Sequence, residues 1–174
     1  MSLVYITGIS GSGKSTVRRE LQKRGYTAYG VDEDGIAAFY HNDSGEKVGQ
    51  ADASARTEEW RARHSWRMPR ETVEKLANEA EGKLAFLCGT VSNDQDSWKL
   101  FDKVIALTVD TDTLERRLTN RSENDFGKSE HERRMVLTWQ EYAAEEYRRL
   151  GAMLVDSTRP LGEVVDRVLE IATR

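Results

Sequence analysis

Short apolar runs alternate along the chain with longer stretches whose apolar residues recur every three or four positions. Residues 3–7, 27–31, 84–88, 103–109 and 152–155 read as strands. The third of these is apolar throughout, the pattern of a strand covered on both faces. Residues 14–24, 34–40, 51–66, 69–80, 111–119, 130–150 and 160–172 read as helices. Gly25 stops the first helix, and Pro69 and Pro160 stand where helices begin. Strands alternating with helices predict an α/β fold in three layers, a five-stranded parallel sheet with helices on both faces. Two polar stretches, 41–50 and 120–129, carry glycine between helices and read as mobile excursions.

The 174 residues suffice for one domain whose core needs no disulfide or metal staple. The single cysteine, Cys88, cannot form an internal disulfide, which suits a reducing cytosol, and it reads as a small buried apolar residue. No apolar run approaches the ~20 residues of a membrane span, so no membrane partner is expected. The first apolar run leads straight into a glycine-rich loop with no basic region before it, unlike a signal peptide. A net charge of −4 argues against a general nucleic-acid binder. The 18 arginines against 8 lysines supply planar forks suited to phosphate and carboxylate. His41, His64, His131 and Cys88 lack the spacing of a zinc set.

Gly8-Ile9-Ser10-Gly11-Ser12-Gly13-Lys14-Ser15 fits G-x-x-x-x-G-K-[ST], with a strand running in and a helix leaving. Gly8, Gly11 and Gly13 let the backbone turn and approach a ligand closely. Successive backbone N–H groups, from Ser10 and Ser12 on to Thr16 in the first turn, can then face inward as an anion nest. Lys14 can reach the outer phosphates, and Ser15 can hold Mg²⁺.

A guanine-reading N-K-x-D is absent. Asp32-Glu33-Asp34-Gly35 spells D-x-x-G but follows the loop too soon for a GTPase switch, and the serine-glycine signature of transporter ATPases is missing. The early phosphate loop, the length and the five strands resemble the small-molecule and nucleoside monophosphate kinase group, which includes shikimate, gluconate, adenylate and cytidylate kinases. The resemblance implies a P-loop NTPase fold over residues 1–174 with strand order 2-3-1-4-5. It also implies an acceptor-binding insertion near 35–80, a short lid near 120–129, and ATP with Mg²⁺ as cofactors.

The resemblance further implies roles for particular residues. Asp32 would act as base or orient the acceptor hydroxyl, Asp34 would assist, and both would reach the Mg²⁺ water shell. Either one could instead cap a following helix. Leu114 to Arg121 resembles the entry to the group's lid. Arg117 and Arg121 are four apart and share a helix face. Arg117 would lie along the nucleotide, and Arg121 would close over the transferring phosphoryl group. On a solvated surface the pair would instead meet Glu115, Glu123 or Asp125. Gly127 would be a flexible point of the lid, and Arg133 and Arg134 open the helix after it. Arg159 and Pro160, after the last strand, would flank the adenine. Asp110, at the start of a helix, reads as a cap.

Acceptor identity is expected between the second and third strands. On a continuous helix Arg56, Arg63, Arg67 and Arg70 recur on one face, with Trp60 and His64 on a second stripe. Arginine beside aromatic rings suits an anionic, planar or ring-shaped acceptor. The same helix could equally be salt-bridged to Glu58, Glu59 and Glu71, with its tryptophans in the core. Gly89, after the third strand, can let a substrate approach the backbone. That strand ends without the aspartate of many P-loop ATPases, so the Mg²⁺ carboxylate falls to Asp32 or Asp34.

The expected activity is an ATP- and Mg²⁺-dependent transfer of the γ-phosphoryl group to a small-molecule acceptor, a nucleotide, nucleoside or sugar acid. The alternative is a nucleotide-dependent regulatory ATPase that binds a macromolecular partner.

Overall fold

The computed structural model describes residues 2–49, 56–80, 82–120 and 130–174. In chain order they form β1 (Ser2–Thr7), α1 (Lys14–Lys23), β2 (Thr27–Gly30), β3 (Ala38–His41), β4 (Lys47–Val48), α2 (Glu58–Arg63), β5 (His64–Arg67), α3 (Arg70–Glu79) and β6 (Leu84–Cys88). There follow α4 (Asp94–Ser97), a 3₁₀ turn (Trp98–Leu100), β7 (Lys103–Thr108), α5 (Thr111–Thr119), α6 (Glu130–Arg149), β8 (Met153–Asp156) and α7 (Leu161–Thr173).

Apolar side chains fill both faces of β1. Leu3, Val4, Tyr5 and Ile6 are each 0% exposed, so this strand must be central. Period-two alternation sends Leu3 and Tyr5 into one core and Val4 and Ile6 into the other. The first core includes Val73, Leu76 and Ala77 of α3, with Tyr147 of α6 packed against it. The second takes Val17 and Leu21 of α1 and Val164, Val165 and Val168 of α7. Helices therefore cover both sheet faces, as the pattern predicts. The order is β2-β6-β1-β7-β8, all pairs parallel. Counting only these five strands along the chain gives 2-3-1-4-5; the element numbers differ because β3, β4 and β5 lie elsewhere. All five carboxyl ends lie along one edge, where open α/β sheets hold their ligands. Among the described residues, no helix is long and apolar enough to cross a membrane.

Two predicted helices are corrected. Residues 34–40 are not helical: the chain turns at Gly35 (φ 64°) and enters β3. Residues 51–66 do not form one helix; 51–55 lie outside the described residues, α2 spans only Glu58–Arg63, and His64 to Trp66 belong to β5. Thr57 caps α2 by accepting the Trp60 N–H at 3.2 Å. Beyond α2, aromatic and polar residues alternate, and strand pairing prevails over the helical spacing. β3 pairs antiparallel with β5, setting Phe39 opposite Trp66 and His41 opposite His64, and β4 flanks β3. The polar stretch 41–50 thus holds the turn and second strand of a hairpin through residue 48. The short α4 and the 3₁₀ turn carry no apolar periodicity that would predict them.

Candidate active site at the carboxyl edge of the sheet

The loop after β1 is shaped by its glycines. Gly8 and Gly11 have φ of 143° and 86°, values that L side chains rarely adopt. A Cβ on Gly8 would lie 2.6 Å from the Leu107 carbonyl oxygen and from Ser12 Oγ, and one on Gly11 would lie 2.7 Å from Leu114 Cδ1. Ile9 anchors the loop in a third apolar cluster with Leu114 and Leu118 of α5 and Val136 of α6. Gly13 caps α1 with no side-chain hydrogen bond to the helix end. Ser12 is buried, and its Oγ has no hydrogen-bond partner among the described residues. Lys14 Nζ donates to the carbonyl oxygens of Gly8 (2.6 Å) and Ile9 (2.9 Å), which holds the amine over the loop. Ser10 and Ser15 are part-exposed and Thr16 is exposed. Positive-φ glycines, an uncapped helix end and a lysine over the loop fit a polyphosphate.

Two side chains outside the loop brace it. Thr90 Oγ1 donates to the Gly8 carbonyl oxygen at 2.5 Å. Arg117, on α5, directs Nη1 to the carbonyl oxygens of Gly11 (3.4 Å) and Ser12 (3.3 Å), while Nη2 donates to the Ser157 carbonyl oxygen at 2.6 Å. Its guanidinium, half-buried and next to Arg116, has its pKa lowered, burial being the larger cause. The fork joins the phosphate loop to the turn after β8. Arg121 and the lid positions 121–129, Gly127 included, lie outside the described residues.

The turn after β2 sorts its three acids. Arg18 of α1 pairs with Glu33 (3.4 Å) and Asp34 (3.8 Å). Asp34 also accepts the Gly30 N–H at 2.7 Å. Asp34 is thus engaged by a cation and a backbone donor. It caps no helix, since none follows. Asp32 is exposed, and its Oδ1 accepts the indole N–H of Trp66 at 3.0 Å.

The three-stranded sheet stands beside this turn. One of its faces gathers Phe39, His41, His64 and Trp66 under Trp60 of α2. Trp60 stacks on His64 with ring centroids 4.1 Å apart, and Phe39 lies 4.7 Å from both Trp60 and Trp66. The expected shared face of Arg56, Arg63, Arg67 and Arg70 does not exist, because a strand interrupts the helix. Arg56 lies 5.5 Å over the Phe39 ring, Arg63 pairs with Glu59 at 2.7 Å, Arg67 donates to Asn42 Oδ1 at 3.2 Å, and Arg70 pairs with Glu74 at 2.8 Å. Of the salt bridges offered as the alternative, Arg63 makes the one to Glu59, whereas Arg70 pairs with Glu74 and not with Glu71.

At Gly89 an added Cβ would meet Val31 Cβ at 2.3 Å, so the missing side chain leaves room for Val31. Arg159 is exposed and lies 3.9 Å from Asp156, while Pro160 caps α7. Asp110 does cap α5, accepting the Thr113 N–H at 2.7 Å, and that bond holds its pKa down.

Sequence reasoning missed Arg18, Thr90, Ser157 and Asp94, and it placed Trp66 among the aromatic residues of the acceptor segment without its bond to Asp32. Asp94, at the start of α4, is 8% exposed. Burial pushes its carboxyl up to about 6, against the opposing bonds from the Gln95 N–H and the Thr7 hydroxyl. No short motif marks these residues, since they meet the site only through the strand order. Among the described residues, no group of three or more His, Cys, Asp or Glu could hold a metal ion.

Solved structures share this fold. A shikimate kinase from Acinetobacter baumannii, in complex with shikimate, is 16% identical, with a TM-score of 0.63 over 98% of this chain and 92% of that one. A deoxyadenosine kinase from M. mycoides, with bound dATP, is 15% identical, with a TM-score of 0.56 over 99% and 100%. A gluconokinase from Sinorhizobium meliloti 1021 is 16% identical, with a TM-score of 0.50 over 99% and 94%. At these identities the likeness shows the fold, which is that of the small-molecule and nucleoside kinase group. No curated protein sequence matches the chain. A family model described as an AAA domain matches residues 4–140, from the first strand through the phosphate loop and into α6, and the chain belongs to that family.

Proposed function

We propose that this chain is an ATP- and Mg²⁺-dependent phosphotransferase acting on a small-molecule acceptor. The observation that carries the reading is the placement of the phosphate loop and Asp32 after parallel strands, at one edge of the sheet, beside an aromatic antiparallel sheet. Phosphoryl transfer demands little covalent chemistry from the protein; it demands position and charge. Lys14 and the α1 N–H groups would take the triphosphate, and Arg117 would keep the nucleotide against the loop. Ser15 and Asp32 are the residues that would hold Mg²⁺, which supplies charge neutralisation on the phosphate oxygens. The acceptor oxygen forms a bond to the γ-phosphorus as the bond from that phosphorus to the bridging oxygen breaks. ADP leaves with that electron pair, and Asp32 takes the acceptor's proton. Arg121 and the 120–129 lid keep their expected role of closing over the transferring group and excluding water.

The insertion near 35–80 is the proposed acceptor module, now with an aromatic sheet in place of an arginine-faced helix. The experiment is ADP release from Mg·ATP across shikimate, gluconate, deoxyadenosine, nucleoside monophosphates and aminoglycosides. A kinase releases ADP slowly alone and faster with one acceptor, whose phosphorylated mass appears. Slow release unmoved by every acceptor, but changed by a macromolecular partner, would replace this reading with the regulatory ATPase.

A further inference from the structure

We propose that Trp66 is a positioning residue for Asp32, holding its carboxylate in one orientation toward the acceptor. The inference rests on the reading of Asp32 given above. An exposed aspartate ordinarily samples several rotamers, and each moves its oxygens by more than a transferring proton tolerates. Asp32 is exposed, on a turn, and its Oδ1 is met at 3.0 Å by the Trp66 indole N–H. The donor itself is fixed from several sides. The Trp66 ring packs against the first core and lies 4.7 Å from Phe39. Its backbone is paired opposite Phe39 in the β3–β5 ladder, and its carbonyl oxygen accepts the Ser92 N–H at 2.8 Å. One residue further on, the Asn93 side chain brackets Met68, donating to its carbonyl oxygen and accepting its N–H, each at 3.0 Å.

Trp66 is therefore rigid, while the carboxylate it holds is on the surface. A flexible donor would lose rotamer freedom in making this bond; a packed indole has little left to lose. The bond also joins the antiparallel sheet to the turn after β2. A shift of β5 on binding an acceptor would thus be transmitted to the carboxylate.

Two measurements on the full chain test this. Its four tryptophans give four indole N–H resonances in a proton–nitrogen correlation spectrum, and Trp66→Phe identifies the one from Trp66. In Asp32→Ala, which removes the acceptor oxygen that Asn would keep, that resonance should move, and its exchange with solvent should accelerate, while the other three hold. An unmoved resonance overturns the proposal, whatever the kinetics. The second measurement is ADP release from Mg·ATP with water as acceptor, the probe for Asp32's action on a hydroxyl. Trp66→Phe keeps an aromatic ring but drops the donor. It should lower kcat about tenfold, with the KM for ATP within about twofold. The double variant should be no slower than Asp32→Asn alone, because both changes remove one device. Additive losses, or an unchanged kcat in Trp66→Phe beside a lowered one in Asp32→Asn, refute the positioning role and spare Asp32. An unchanged kcat in Asp32→Asn refutes the reading of Asp32, and this inference with it.

Discussion

Lys14 belongs to the phosphate loop and Arg117 reaches it from α5, and they act differently. Lys14 bonds two loop carbonyl oxygens, which holds its amine over the loop. Lys14→Ala should lower turnover of Mg·ATP about 10²-fold or more, read as ADP release, since it removes charge needed as the γ-phosphate departs. Arg117 bonds the loop and the turn after β8 at once. Arg117→Lys keeps the charge but loses the fork. It should weaken nucleotide affinity about tenfold by titration, with a smaller change in turnover once ATP saturates. An affinity equal to wild type would place Arg117 in the scaffold only.

At the scale of elements, Gly89 separates two accounts of the end of β6. Its absent Cβ is the space that Val31 occupies, and neither backbone can yield easily. Gly89→Ala should cost about 1–3 kcal/mol of stability by denaturant unfolding, the usual range for overpacking. If the variant kept its stability and lost only acceptor binding, the expected substrate-approach role would hold. The same scale shows what the sequence makes legible. The five parallel strands and the helices α1, α3, α5, α6 and α7 follow from apolar periodicity, because each buries a continuous face. The phosphate loop is local in sequence, so its motif is complete on reading. The aromatic sheet is not legible, because Trp60, His64 and Arg67 fit a helical stripe as well as they fit α2 followed by β5. Only pairing with Phe39 and His41, more than twenty residues earlier, decides between them. Thr90 and Ser157 are hidden for the same reason: strand order, not spacing, brings them to the loop.

For the molecule as a whole, Asp94 sets a term in the dependence of stability on pH. Its carboxyl is raised in the folded chain to about 6 from 3.8. Between those values the folded state holds a proton that the unfolded state has lost, so this group's contribution falls as pH rises through the window. Above it, the buried charge costs about 2–3 kcal/mol. Asp94→Asn should therefore raise the melting temperature at pH 7.5 and leave it nearly unchanged at pH 3.5. A destabilised variant at pH 7.5 would mean that the charged carboxylate is held by bonds stronger than those from Thr7 and Gln95. The central claim concerns the whole site, and the destination of the γ-phosphoryl group tests it most directly. With ATP carrying ¹⁸O in that group and the acceptor panel present, the account predicts label in a phosphorylated acceptor, abolished in Lys14→Ala. Label found only in inorganic phosphate, at a rate indifferent to every acceptor and to Asp32→Asn, would contradict it.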